Sequence, residues 1–158
     1  MRVGIGGVLG MLGVLVFPAL SIAGPLRTEL GRADPGDADR SLVAFADLKA
    51  TVSDVRALYG GHSSYARIVN FWQEKISNRV SSMNVFGGRV YVEPYGVNNE
   101  GFMVTYTGVP KASCVRLVTR EFDEGLAQVR VGNEIGPFSM ERAVAVCGDR
   151  NMLTWVFR

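Results

Sequence analysis

The spacing of apolar residues divides the chain into helical and extended stretches. Over residues 40–59 apolar side chains recur every three or four positions, which predicts an amphipathic helix. Asp39 precedes this stretch as a candidate N-cap, and Gly60 and Gly61 follow it where a helix can end. The predicted inward stripe is Leu42, Phe45, Leu48, Val52, Val55 and Tyr59, with Lys49, Asp54 and Arg56 on the solvent side.

A second helix is predicted over residues 67–80, after a loop rich in Gly and Ser. Its apolar stripe is Ile68, Phe71, Trp72, Ile76 and Val80. The adjacent pair Phe71 and Trp72 is interpreted as core or as a seat against the first helix. A role in stacking on a ligand is the alternative.

From residue 85 the period changes to two, which predicts strands. Residues 88–95 and 100–108 are expected to form an antiparallel pair, and Pro94 favours an edge position for the first of them. Residues 125–133 form a third predicted strand. In residues 151–158 both alternating sets are largely apolar, so this last strand is expected in the middle of the sheet and covered on both faces.

Two shorter helices complete the predicted order. One follows Pro110, with Val109, Cys114, Leu117 and Val118 facing inward. The other begins after Ser139 as N-cap. The order of helix, helix, strand, strand, helix, strand, helix, strand predicts an α+β fold, in which a long N-terminal helix packs on a mainly antiparallel sheet.

The N-terminal segment carries an export signal. An apolar run follows Arg2 and ends in Ser21-Ile22-Ala23, so we expect residues 1–23 to be a signal peptide cut between Ala23 and Gly24. A retained membrane anchor is the alternative, because residues 3–23 carry no charge and a bilayer span needs about 20 residues. Residues 24–39 are polar with Gly and Pro, which indicates a linker before a globular domain at 40–158.

Cys114 and Cys147 are the two cysteines. In an exported protein an even number of cysteines favours a disulfide, which we predict between them. A reactive thiol is the alternative, and it would need a base. The single histidine, His62, lies in the Gly/Ser loop and is interpreted as an exposed loop residue.

Composition and motifs exclude several classes of function. The chain is 47% apolar and 20% charged with a net charge of +2, and no basic block favours nucleic acid binding. One histidine and two distant cysteines cannot form a zinc site, and no phosphate-binding glycine motif is present. We therefore predict a non-catalytic protein without a cofactor or metal. The acidic residues Glu121, Asp123 and Glu124 are interpreted as a solvated surface.

Three tyrosines fall within the predicted hairpin, at positions 91, 95 and 106. Cross-strand pairing is the simpler interpretation of Tyr91, Tyr95 and Tyr106. If they share one face, they could instead bind a peptide or a glycan. A soluble periplasmic or secreted binding module is therefore the alternative function.

Several stretches of residues 41–158 together resemble the globular head of type IVb pilins of the PilS type. They are ADLKATVSDVRALYGGHSSYA, FGGRVYVEP, GFMVTYTGVPKASCVRLV, AVCGD and LTWVF. The resemblance implies an α+β head in which a Cys114–Cys147 disulfide bounds a surface-exposed region. It also implies a structural subunit of a fibre for adhesion, conjugation or secretion, with other pilin subunits or assembly components as partners and membrane contact only through the N-terminal segment.

The N-terminal segment departs from the family pattern. Type IV prepilins carry a glutamate at the fifth mature position within the apolar helix. Residues 3–23 contain no acidic residue, and Glu29 follows the apolar run. We therefore expect the mature protein, if cut after Ala23, to be a monomer or small oligomer that does not form pili alone.

Overall fold

A computed structural model describes residues 35–122 and 125–158. It confirms the α+β arrangement, with an N-terminal helix packed against a five-stranded antiparallel sheet. In chain order the elements are α1 (Pro35–Tyr59), a 3₁₀ helix (Ala66–Asn70), α2 (Phe71–Glu74), β1 (Val90–Tyr95), β2 (Gly101–Pro110), α3 (Lys111–Val118), β3 (Leu126–Val131), β4 (Glu134–Ile135), α4 (Met140–Val146) and β5 (Arg150–Phe157).

The strand order in the sheet is β1-β2-β5-β3-β4. The last strand in sequence therefore lies at the centre, as predicted, and β1 with Pro94 lies at an edge, also as predicted. The two-residue strand β4 was not predicted, because two residues are too few to show an alternating pattern. Gly132, at φ 56°, occupies the left-handed conformation in the connection between β3 and β4.

Alternate residues of each strand face α1 or point away from it, and we call these two sides the inner and outer faces. The inner face is filled by buried side chains of β1, β2, β3 and β5. The expectation that β5 is covered on both faces is correct from Leu153 to Phe157 and wrong at Met152. On its outer face Met152 is 49% exposed, and the outer neighbour Tyr91 on β1 is 43% exposed. Thr154 and Val156 are nevertheless buried there, beneath side chains of neighbouring strands.

Helix α1 begins five residues earlier than the sequence predicts, inside the stretch interpreted as a linker. Pro35 occupies its first position, where the missing N–H of proline costs no helical hydrogen bond. Asp37 lies in the first turn, where the helix dipole favours a negative charge. The prediction of Asp39 as N-cap is therefore wrong, since Asp39 lies within the helix.

The inward stripe of α1 is correct at Leu48, Val52, Val55 and Tyr59, which are all buried. It is wrong at its beginning, where Leu42 is 52% exposed. Two small residues, Ser41 and Ala44, are buried there instead. Both residues lie where α1 packs against α3. Their small side chains let the two helices approach closely, and the larger Leu42 lies at the rim of this contact.

The predicted helix over residues 67–80 is also wrong. The chain forms one 3₁₀ turn and one turn of α-helix, and it becomes extended at Lys75, with φ −51° and ψ 140°. Asp54, predicted on the solvent side of α1, is buried, and its carboxylate accepts a 2.8 Å hydrogen bond from the Ser77 N–H. Lys75 Nζ donates to the carbonyls of Ser77 and Val80 at 3.1 and 2.9 Å. These bonds hold an irregular segment against α1 in place of a second helix.

Candidate functional site

The disulfide predicted from the cysteine count is present. Cys114 lies in α3 and Cys147 directly follows α4, and their Cα atoms are 6.0 Å apart. Both residues are almost fully buried, at 0% and 2% exposure. The bond closes a segment that contains β3, β4 and α4, and it holds α4 against α3 just before β5 begins. A cystine has no free thiol, so the alternative of a reactive Cys114 is wrong.

Local sequence explains how α4 presents Cys147. Ser139 is its N-cap as predicted, and its Oγ accepts a 3.2 Å hydrogen bond from the Arg142 N–H. The Cys147 N–H still bonds to the Ala143 carbonyl, at 2.9 Å, while its own backbone is extended. Next to it the Asn151 side chain accepts from the Gly148 N–H at 2.8 Å and donates to the Val109 carbonyl at 2.9 Å. These hydrogen bonds hold the backbone on both sides of Cys147.

The remaining predicted site residues form no reactive group in the described part of the chain. His62 is exposed, and its Nδ1 lies 3.3 Å from the Tyr59 carbonyl oxygen, as suits a loop residue. Glu121 is exposed, whereas Asp123 and Glu124 lie outside the described residues. Within residues 35–122 and 125–158 no three His, Cys, Asp or Glu side chains are placed to hold a metal ion.

The predicted cleavage point lies in the N-terminal segment. Ala23 and Gly24, the predicted cleavage point, lie outside the described residues, so cleavage stays a prediction. None of the helices in the described part of the chain combines the length and the hydropathy needed to span a bilayer.

The three tyrosines of the hairpin do not share a face. Tyr106 pairs with Val90 and is buried on the inner face, with its hydroxyl 3.4 Å from the Ala44 carbonyl. Burial, with a smaller contribution from the nearby Asp47, raises the pKa of Tyr106 well above its ordinary value. Tyr91 and Tyr95 lie on the outer face. A binding face made of all three residues, as the alternative function required, is therefore not formed.

Tyr95 instead takes part in a cluster that sequence reasoning missed. We define the Tyr95 cluster as Tyr95 on β1, Gln128 and Arg130 on β3, and Arg158 after β5. The guanidinium carbons of Arg130 and Arg158 lie 5.8 and 5.9 Å from the centre of the Tyr95 ring, within cation–π range. Arg130 Nη2 also lies 3.4 Å from the Tyr95 hydroxyl.

The register explains how three strands supply this cluster. Tyr95 pairs with Gly101 of β2, and Gly101 lies beside Arg158, so no side chain stands between the tyrosine and Arg158. A Cβ at Gly101 would lie 2.4 Å from the Phe157 carbonyl oxygen, so the close approach of the strands requires glycine. The strands come from distant parts of the sequence, and alternation alone could show only that Tyr95 faces outward.

Taken together, a helix packed on one face of an antiparallel sheet and a C-terminal segment closed by a disulfide define a pilin-head-like α+β domain. A family model described as PilS N terminal matches residues 40–157, and the chain belongs to this family of pilins. The resemblance to a PilS-type pilin head is thus confirmed. No curated protein and no solved structure matches the chain.

Proposed function

We propose that the protein is a non-catalytic structural subunit of a type IVb pilus or of a related conjugation or secretion filament. The observation that carries the proposal is the PilS family match over residues 40–157. The helix packed on an antiparallel sheet and the buried Cys114–Cys147 disulfide support it, because both suit a head domain that must stay folded outside the cell.

The compartment and the partners follow from the same role. The protein is exported to the periplasm, the cell-surface pilus or the medium, where a disulfide persists. Its partners are other pilin subunits or pilus assembly components. Membrane contact occurs only through residues 1–23, which are removed by cleavage between Ala23 and Gly24.

Cleavage at this point has a consequence for assembly. It removes the apolar run of residues 3–23, and the remaining head must then associate through its own surface. The surfaces of non-obligate partners are about as polar as the rest of a protein surface, so their association is weak without a large apolar contact. The mature protein alone is therefore a monomer or small oligomer, and it joins a filament built from other subunits.

Fractionation of the producing cells tests this function. The expected result is that the protein appears in sheared surface filaments when the pilus machinery is present, and in the periplasm when the machinery is deleted. Mass spectrometry of the mature N-terminus is expected to begin at Gly24. A protein that is exported but never recovered with filaments would contradict the proposed role. Long filaments in cells that express this subunit alone, labelled along their length, would contradict the assembly prediction.

A further inference from the structure

The hydrogen bonds within the Tyr95 cluster leave its donors, not its acceptors, free for a ligand. Arg130 donates to Gln128 Oε1 from Nε at 3.0 Å and from Nη2 at 2.7 Å. Because a guanidinium only donates, the side-chain oxygen of Gln128 must face Arg130, and its NH₂ group points elsewhere. The Tyr95 hydroxyl likewise accepts from Arg130, so its own proton remains available.

These donors border a cleft on the outer face of about 240 Å³. Tyr95, Arg158, Gln128 and Ala127 form its sides, and the buried Val156 lies beneath them. Ala127 is the extra residue of a β-bulge, with no partner in the register between β3 and β5. A bulge bends its strand and often shapes a site, and this one lies at the rim of the cleft.

Among the described residues two acidic side chains lie near the cluster, and neither lines the cleft. Glu100 accepts a 3.1 Å hydrogen bond from the Asn98 N–H, so its carboxylate is bound within the β1–β2 turn. Hydrogen bonds from its own N–H and from that of Asn98, with a smaller effect of the Arg158 charge, lower the pKa of Glu100. Glu93 lies on the edge strand, opposite Met103, and does not line the cleft. The cleft itself is lined by the arginine, amide and phenol donors of Arg158, Gln128 and Tyr95.

We propose that this cleft binds a carboxylated sugar, such as a uronic acid residue of a surface glycan. A carboxylate accepts hydrogen bonds and pairs with guanidinium groups in a bidentate geometry, which matches the free donors. The sugar ring lies beside Tyr95, and the volume admits one ring. This site does not depend on filament assembly, and it goes beyond the structural role proposed above.

The position of the cleft favours a sugar over an acidic peptide. Extended peptides gain much of their affinity by pairing their main chain with the edge of a sheet. The cleft lies on the outer face, between Tyr95 of β1 and residues 127 and 128 of β3. Strand β4 pairs only with Arg130 and Val131, so this part of β3 is an edge, but the bulge at Ala127 interrupts its regular pairing groups. It therefore offers a pocket for one acidic ring and no continuous strand edge.

A matched pair of ligands tests the proposal. Methyl β-D-glucuronide and methyl β-D-glucoside differ only in the carboxylate at C6. In ¹H–¹⁵N NMR spectra of the purified mature protein, residues 24–158, we expect the glucuronide to shift the amides of Ala127, Gln128 and Val156 in a saturable way. The glucoside is expected to give no saturable shift.

Variants identify the groups that bind. Arg158→Gln is expected to weaken glucuronide binding about tenfold, because it removes a charge-assisted hydrogen bond. Arg130 does not line the cleft but orients Gln128, so Arg130→Gln should cause a smaller loss. Tyr95→Phe keeps the ring but removes the hydroxyl donor, and should cause a smaller loss. Arg116→Gln, an exposed cation of α3, is the matched control and should leave binding unchanged. The spectrum of each variant also reports whether it is folded.

Three results would overturn the proposal. The first is equal binding of glucuronide and glucoside, and the second is the absence of saturable glucuronide shifts in the folded parent protein. The third is tighter binding of an acidic tripeptide than of glucuronide, which would assign the donors to a protein ligand. Unchanged binding in folded Arg158→Gln would also exclude this cleft as the site.

Discussion

The inner and outer faces of the sheet are made by alternate residues of the same strands, yet they are held in different ways. On the inner face aromatic rings interlock, as in the edge-to-face pair of Tyr106 and Trp155 at 5.4 Å and the stacked pair of Phe102 and Phe157 at 5.1 Å. On the outer face the contacts are polar or cationic, such as the 2.9 Å bond between the hydroxyls of Thr105 and Thr154.

The inner face of the sheet therefore provides stability, whereas the outer face provides groups that can bind another molecule. Inner residues are excluded from water and gain free energy by burial and close packing. Outer residues are kept in place by directional contacts across strands, and these leave donors that another molecule can use. Substitutions on the inner face should therefore lower the free energy of unfolding more than substitutions on the outer face do.

The largest expected effect comes from truncating the centre of the inner face. Trp155 is 2% exposed, so Trp155→Ala should lower the free energy of unfolding by about 3–5 kcal/mol in urea denaturation. The control is Met152→Ala on the outer face of the same strand, where we expect a change within about 0.5 kcal/mol. A loss below about 1 kcal/mol for Trp155→Ala would show that the inner face does not carry the stability.

Removing the disulfide should cause the next largest loss of stability. Its cysteines are 33 positions apart, and replacing both in Cys114→Ala/Cys147→Ala should cost about 4 kcal/mol through the entropy of the unfolded chain. Because both sulfurs are buried, a mild reductant should leave the native protein oxidised and act only after urea opens it. Rapid reduction without urea would mean that the corner around α4 opens on its own.

The free energy of unfolding should fall at alkaline pH because of the buried tyrosines that contact the helices. Burial and the 2.8 Å hydrogen bond to Glu74 raise the pKa of Tyr59 to about 12, from an ordinary 10. A raised pKa means that the folded state holds the proton more tightly than the unfolded state. The stabilisation is therefore complete below pH 10 and is lost as the pH rises towards 12.

Urea denaturation at pH 8 and pH 11 measures this loss. Tyr59→Phe should reduce the pH dependence, and at pH 8 should cost about 1 kcal/mol for the missing hydrogen bond. Tyr106, whose pKa is also raised by burial, accounts for part of what remains. An identical pH dependence in Tyr59→Phe and the parent would contradict the assignment to Tyr59.

The smallest expected change in the free energy of unfolding comes from removing the hydroxyl pair of Thr105 and Thr154 on the outer face. Thr154→Val removes one partner of a buried hydrogen bond and should cost about 1 kcal/mol, because the Thr105 hydroxyl is left unsatisfied. In the double variant Thr105→Val/Thr154→Val both hydroxyls are gone, so the loss should be smaller than the sum of the single variants. Strict additivity would mean that the two hydroxyls do not interact.

Strands were predictable from the sequence because a period of two is a strong local signal. Both alternating sets of β5 are apolar, which gave its central position correctly, although the outer set is covered by side chains and not by a helix. The disulfide was also predictable, since two cysteines behind a predicted export signal leave one pairing.

Three of the failures were decided by contacts between distant residues. Leu42 fits a helical stripe as well as Ala44 does, and only the packing of α3 against α1 shows which of them is buried. The second helix fails because Asp54 on α1 captures the Ser77 N–H. The Tyr95 cluster needs the register of β1, β2, β5 and β3 at once, which no local pattern contains.

The central position of β5 has a consequence for how the chain acquires its structure during synthesis. The strands β2 and β3 emerge earlier, and each of them has β5 as its neighbour in the finished sheet. Until β5 follows, two pairing edges stay open, and Cys147 reaches Cys114 only just before that moment. Pairings between such distant segments form slowly, and exposed edges invite wrong partners. If the cell exports this protein before β5 is made, the chain is still unfolded enough to pass a narrow pore. Strand β5 then completes the sheet on the other side of the membrane.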